Sequence, residues 1–147
     1  MLIVLEGCDG SGKTTVANNL KYILPNAEVV HCTTDTPNDY EFFMSLIQAG
    51  DTRNIIADRF CYGQFVYQEE KDRPMGENEL TCLEAEMLAH GVKVIHVAAP
   101  VEEITERLYL RKESTLLPVG EICDRYINLF ESKTLIKPYV WWTGRDC

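Results

Sequence analysis

Gly7 and Gly12 enclose four residues and are followed directly by Lys13 and Thr14, the spacing G-x-x-x-x-G-K-[ST] of a loop that cradles phosphate. The glycines let the backbone turn with its N–H groups aimed inward at anionic oxygens. Lys13 supplies a point charge for the β- and γ-phosphates, and the Thr14 hydroxyl is placed to ligate Mg²⁺. The whole segment, Gly7-Cys8-Asp9-Gly10-Ser11-Gly12-Lys13-Thr14-Thr15, is therefore the candidate seat of a nucleoside triphosphate, with the positive end of a helix beginning near Lys13 behind it. Asp9 stands out, because bound phosphates repel a carboxylate unless it has another partner. A sugar hydroxyl on an acceptor molecule is one candidate, and a cap on the backbone turn is the alternative.

Other side chains suit work on the same phosphates. Ile55-Ile56-Ala57 closes on Asp58 and Arg59. In an open parallel sheet ligands gather at the C-terminal ends of strands, so Asp58 is expected to face the loop's crevice, there to hold Mg²⁺ or orient the attacking oxygen. Arg59 offers a rigid fork for phosphate; a strand-end ion pair is the plainer reading of both. Arg107 and Arg111 lie four residues apart on an expected helix and project from one face, suited to clamping a transferring phosphoryl group, or else to pairing with Glu103 and Glu106 on a solvated face. Among the aromatics Phe42, Phe43, Phe60, Tyr62, Phe65 and Tyr67, some must be core and others can stack on a base; Tyr67-Gln68 joins a stacking face to an amide. Arg73 and Arg125 read equally well as surface charge. His31, His90 and His96 are too scattered to suggest a metal site.

The elements needed to position these groups alternate in type, as for a parallel sheet covered on both faces. Strands are expected at residues 2–5, 27–32, 54–57, 92–98 and 136–142, the last at an edge because of Pro138. Helices are expected at 15–24, with Val16, Leu20 and Ile23 inward; 39–49, ended by Gly50; 63–70; 77–90, with Leu80, Leu83, Met87 and Leu88 inward and Gly91 as its stop; 100–112; and 119–132. The stretch at about 111–120 suits a short lid.

The chain has 147 residues, enough for one domain, 1–147, with a hydrophobic core. Its 14 basic and 23 acidic residues leave a net charge of −9, which opposes sequence-independent attraction to a nucleic-acid backbone, although Arg107, Arg111 and Lys112, and separately Lys71 and Arg73, form small basic clusters. Six scattered cysteines, with no C-x-x-C pair, argue against zinc and for reduced thiols in the cytoplasm. No apolar run is long enough to span a bilayer, so no membrane partner is expected.

The residues Leu2-Ile3-Val4-Leu5-Glu6-Gly7, Asp9 and Gly12-Lys13-Thr14-Thr15 resemble the opening motif of the thymidylate kinase family of P-loop nucleoside monophosphate kinases. Asp58-Arg59-Phe60 resembles that family's D-R-[YFH] signature, Tyr67-Gln68 follows at a similar distance, Arg107 and Arg111 resemble its arginines leading into the lid, and Asp124-Arg125-Tyr126 lies where the family has the helix after the lid. The resemblance implies an α/β P-loop NTPase three-layer fold with a five-stranded parallel sheet in the order 2-3-1-4-5, and a kinase that uses ATP and Mg²⁺ on a small-molecule nucleotide. It implies that Asp9 contacts the acceptor's 3′-hydroxyl, that Arg59 lies between donor and acceptor phosphates, that Lys13, Arg107 and Arg111 hold the transferring group, that Arg73 is a candidate for the acceptor 5′-phosphate and Gln68 for the base; Phe60 and Tyr67 complete the expected substrate-binding residues as aromatics able to stack. It also implies a homodimer through helices packed face to face; the Leu80–Leu88 stripe is compatible with that, and core packing explains it equally well.

The chain departs from the family in being shorter, and in having Thr33-Thr34-Asp35-Thr36-Pro37-Asn38 where the family commonly has Arg-Glu-Pro-Gly-Gly. Compact relatives occur in phages, which would place the protein in a host's cytoplasm. The expected reaction is phosphorylation of a deoxynucleoside monophosphate, dTMP first. The alternatives are a nucleoside, 5-hydroxymethyluridine in phage DNA, or, in another class, a nucleotide-dependent switch that phosphorylates nothing. The absence of a guanine-reading Asn-Lys-x-Asp counts against a GTPase switch.

Overall fold

The computed structural model describes residues 1–33 and 36–144; Thr34, Asp35 and Cys147, which the sequence reading touches, lie outside the described residues. Five strands, β1 (Leu2–Glu6), β2 (Glu28–His31), β3 (Ile55–Asp58), β4 (Lys93–Ala98) and β5 (Tyr139–Trp142), form one parallel sheet in the order β2-β3-β1-β4-β5. The helices are α1 (Lys13–Ile23), α2 (Tyr40–Ala49), α3 (Tyr62–Tyr67), α4 (Glu77–Ala89), α5 (Val101–Leu110) and α6 (Val119–Ser132). The expected fold class, strand order and edge position of the last strand are all present.

Alternation along β1 builds two cores. Leu2 and Val4 join the large cluster packed by α2 to α6, whereas Ile3 and Leu5 join a smaller one under α1, with Val16, Ala17, Ile56, Ile95 and Val97. Period-two side-chain direction in a strand buried on both faces makes this division. No helix among the described residues is long and apolar enough to cross a membrane.

Several boundaries and facings differ from expectation for identifiable reasons. β5 starts at Tyr139 because the Ile136 N–H is taken by Glu84 Oε2 at 2.9 Å and so cannot join a ladder. α3 stops at Tyr67, where Gln68 turns extended, and a short 3₁₀ turn at Glu70–Asp72 follows. In α1, Ile23 is 71% exposed and Leu24 packs on the small cluster in its place. In α4 the inward line is Leu80, Leu83, Glu84 and Met87, and Leu88 is 58% exposed. Glu84 is held by the Tyr62 hydroxyl at 2.9 Å and by the Leu135 and Ile136 N–H groups, so a buried carboxylate fills a place apolar periodicity would not assign. Gly50 caps α2 in a right-handed conformation; its need is space, since a Cβ there would come within 2.9 Å of Leu2 Cβ.

Candidate active site

The loop between β1 and α1 has a shape only glycine permits at its two ends. Gly7 has φ 154° and a Cβ on it would collide with the Val97 carbonyl, while Gly12 has φ 105° and packs against Thr143. Lys13 folds back under the loop, donating to the Gly7 and Cys8 carbonyls at 2.7 and 3.2 Å. Burial lowers its pKa, and Arg59 adds to that, so the ammonium sits where a multiply charged anion is its natural counterpart. The Ser11 hydroxyl is buried without a hydrogen-bond partner among the described residues. The Cys8 thiol is free, as is the Cys123 thiol on α6; hydrogen bonding to Cys123 and burial hold the Cys8 pKa well above its ordinary value, and a protonated thiol is no nucleophile.

Glu6, the last residue of β1, is wholly buried and structural in its contacts. Its Oε2 accepts from the Phe60 and Gly63 N–H groups at 3.0 and 3.2 Å, and its Oε1 from the Tyr126 hydroxyl at 3.0 Å. It thereby ties the loop to the start of α3 and to α6. Burial pushes its carboxyl up to about 7.

A cleft of about 850 Å³ opens over the loop, lined by Asp9, Gly10, Gly12, Lys13, Thr14 and Thr15, by Asp58 and Arg59 after β3, and by Arg107 and Arg111. Parallel pairing brings this about: the C-terminal ends of β1 and β3 lie side by side, Leu5 opposite Asp58. His31 at the end of β2 pairs with Asp58 in the same register, and its Nδ1 lies 3.0 Å from Asp58 Oδ2. The Thr14 hydroxyl and the Asp58 carboxylate are hard oxygen donors on one cleft, a set that suits a Mg²⁺ ion accompanying a triphosphate.

A second cavity, about 180 Å³, adjoins the first and is lined by residues that include Phe43, Phe60, Gln64, Tyr67, Gln68 and Ser114–Leu116 from the stretch between α5 and α6. Among the described residues, four line both spaces: Asp9, Cys32, Thr33 and Arg59. At this junction Arg59 donates to Asp9 Oδ1, and Lys13 lies 3.7 Å from the same oxygen. Burial pushes the Asp9 carboxyl up, but Arg59 and Lys13 outweigh it and hold its pKa below the ordinary value. The repulsion expected between this carboxylate and phosphate is thus offset by two cations. Arg59 also lies over the Tyr67 ring, 5.3 Å from its centroid, and its backbone has φ 70°.

Not every expected group converges. Arg107 and Arg111 reach the cleft, but the Arg107 guanidinium is occupied: it donates to the Gly10 carbonyl at 3.0 Å, the Thr143 carbonyl at 3.0 Å and Glu103 at 3.3 Å. Arg111 lies just past the end of α5 and pairs with Glu113 at 3.5 Å. Arg73 lines neither space; its Nε donates to the Gln68 carbonyl at 3.2 Å and its guanidinium stacks on Phe65. Arg125 bonds the Val66 carbonyl and Glu121. Sequence reasoning missed His31, Thr143 and Gln64. His31 was legible only as a residue near the end of an expected strand, without its partner, and Gln64 as lying one helical turn before Gln68. Thr143, whose hydroxyl donates to the Ser11 carbonyl, had no signal of its own.

No family model and no curated protein matches the sequence. Solved structures do match. The YorR protein from Bacillus subtilis, in complex with phosphorylated GDP, is 27% identical over 97% of this chain and 86% of that one, with a TM-score of 0.79. The chain has the fold of P-loop nucleotide kinases. Deoxyadenosine kinase from M. mycoides with products dCMP and dCDP superposes with a TM-score of 0.57 at 14% identity, covering 100% of this chain and 92% of that one. Thymidylate kinase from Candida albicans gives 0.57 at 17% identity, covering 98% and 84%. In this chain the glycine loop and the C-terminal ends of β1 and β3 meet at one crevice, on which the larger cavity opens.

Proposed function

We propose that this protein transfers the γ-phosphoryl group of ATP to a nucleotide acceptor, with dTMP to dTDP as the first reaction to test. The observation that carries this reading is the Asp9–Arg59 pair, which lines both the cleft over the phosphate loop and the smaller cavity beside it. A donor in one space and an acceptor in the other would meet at a carboxylate able to take a sugar hydroxyl and a guanidinium able to bridge two phosphates. In-line phosphoryl transfer asks the protein for positioning and charge and for no covalent partner. Lys13, the loop N–H groups and the N-terminus of α1 would hold the β- and γ-phosphates, with Thr14 and Asp58 holding Mg²⁺, which when bound neutralises phosphate charge. Arg111 is the cation best placed to swing onto the transferring group, since Arg107 anchors the loop to Thr143. Ser114–Leu116 would cover the acceptor as a lid and exclude water.

One observation favours a second acceptor class. Arg59 is the single Lys or Arg among the described residues lining the smaller cavity, with Arg73 turned away. That suits an acceptor uncharged at its reacting end, a nucleoside or the hydroxymethyl group of 5-hydroxymethyluridine, although the net charge of −9 disfavours the latter within DNA. A Mg²⁺-ATP transfer screen across nucleosides, monophosphates and hydroxymethyluridine-containing DNA tests all of these. Lys13→Ala is expected to reduce transfer by about 10²–10³-fold, the loss of one positioned charge in a dry site. ATP hydrolysis at an unchanged rate, with no acceptor labelled, would overturn the kinase reading and favour a switch.

A further inference from the structure

Cys8 stands inside the phosphate loop, and Cys123 lies far along the chain on α6. Glu6 is what brings them together. Its Oε1 accepts from the Tyr126 hydroxyl at 3.0 Å, and Tyr126 lies one helical turn beyond Cys123, on the same face of α6. Docked this way, α6 packs Cys123 against the core cluster that contains Cys8, and the Cys8 S–H donates to the Cys123 sulfur. Both thiols are free, and phosphoryl transfer asks nothing of either. Their surroundings differ. Cys8 is 2% exposed, whereas Cys123 is half-buried and open to small solutes. The bond from Cys8 draws the Cys123 pKa below a thiol's ordinary value in spite of burial. An accessible sulfur with thiolate character, set beside a second thiol able to resolve it, is the arrangement of a peroxide-reactive pair.

From this geometry we infer that Cys123 and Cys8 form an oxidative modification site, at which a hydroperoxide joins them in a disulfide that ties the phosphate loop to α6 and reversibly withdraws the nucleotide seat. With hydrogen peroxide, the Cys123 sulfur attacks one peroxide oxygen. An S–O bond forms, the O–O bond breaks, and the leaving hydroxide departs as water with the Cys123 proton. The Cys8 sulfur then attacks the resulting sulfenic sulfur. The S–S bond forms, the S–O bond breaks, and the departing oxygen takes the Cys8 proton as a second water, so two thiols are oxidised and one peroxide is reduced. The nucleotide seat feels this through the Cys8 backbone, whose carbonyl accepts from the Ser11 N–H at 3.0 Å and from Lys13 Nζ at 3.2 Å. Two hydrogen-bonded sulfurs must close to about 2 Å to make a disulfide. α6 is anchored in the core by Ile122, Tyr126, Leu129 and Phe130, so the loop is the side that yields. Control of the seat presupposes the phosphate-binding part of the reading above.

The test treats dilute wild-type protein with hydrogen peroxide and follows it by intact mass, by peptide mapping without reductant and by calorimetric titration with Mg²⁺-ATP. The expected product is a monomer lighter by two hydrogens, with the Cys8 and Cys123 peptides joined. Its ATP affinity is expected to fall by about tenfold or more and to return with dithiothreitol. Cys123→Ser is expected to bind ATP as the reduced wild type does and to keep that affinity through peroxide treatment. Peptide mapping separates this bond from oxidation at the exposed Cys82. No Cys8–Cys123 peptide after treatment would overturn the inference without any variant having to fold. A complete cross-link that leaves ATP affinity unchanged would overturn it as well, and so would an equal, reversible loss of affinity in Cys123→Ser. In these three cases ATP binding by the reduced protein still stands and the kinase reading survives; reduced wild type that binds no ATP removes both.

Discussion

Arg59 combines three features at one residue: a left-handed backbone at φ 70°, an ion pair with Asp9 and a place on both cavities. A non-glycine residue in that conformation costs about 1–3 kcal/mol and persists where the surroundings impose it, often at sites of function. Here the Arg59 N–H is bound to the Leu5 carbonyl at 2.8 Å, so β1 holds the turn and aims the guanidinium back over the loop. Arg59→Gly and Arg59→Ala both remove the side chain, but only glycine removes the backbone strain. In urea denaturation the glycine variant is expected to be more stable than the alanine variant by about 1 kcal/mol, while both lose transfer activity. Equal stability would show that the turn is not strained by its side chain.

At the scale of elements, α4 tests how periodicity becomes packing. Its sequence offers four apolar candidates for an inward stripe, and the fold uses Leu80, Leu83 and Met87 while placing the Glu84 carboxylate beside them. Leu83→Ala is expected to cost about 2–5 kcal/mol through the cavity it leaves. Leu88→Ala is expected to stay within about 0.5 kcal/mol. Thermal or chemical unfolding of the two variants checks this, and a large cost at Leu88 would mean that a partner surface covers it. The stripe proposed as a dimer surface is spent on the core of a single chain, leaving Leu88 as its exposed member.

At the scale of the molecule, two buried titratable groups on adjacent strands pull stability in opposite directions with pH. Glu6 is raised from 4.5 to about 7, first by burial, so the folded chain keeps a proton that the unfolded chain has released. Its stabilising contribution is full below pH 4.5 and is lost as pH rises through 7. His96, stacked 5.6 Å from Tyr126, is lowered from 6.5 to about 4 by burial and then by Lys13. Its contribution is present above pH 6.5 and is lost as pH falls through 4. Relative to wild type, Glu6→Gln is expected to gain stability as pH rises from 4.5 to 7, and His96→Phe to gain as pH falls from 6.5 to 4. Denaturation curves that stay parallel to wild type across these windows would remove both assignments.

The phosphate loop, the alternation of strands and helices, and the edge place of the last strand were legible in the sequence, because each rests on spacing within one short segment: Gly7 to Thr14, a buried apolar run, Pro138. The partners of the site were not, because pairing in a parallel sheet joins residues far apart in the chain. Strand order puts Asp58 beside Leu5 and His31 beside Asp58, and from that neighbourhood follow the Asp9–Arg59 pair and the two cavities it separates. The same long-range packing commits Arg107 to the Gly10 carbonyl of the loop and fixes the amide of Gln64. Local spacing determined which chemical groups the chain carries to the crevice. Only the tertiary structure decided which of them remain there without a partner, since a hydrogen bond or ion pair across the fold can satisfy a side chain that local sequence leaves open.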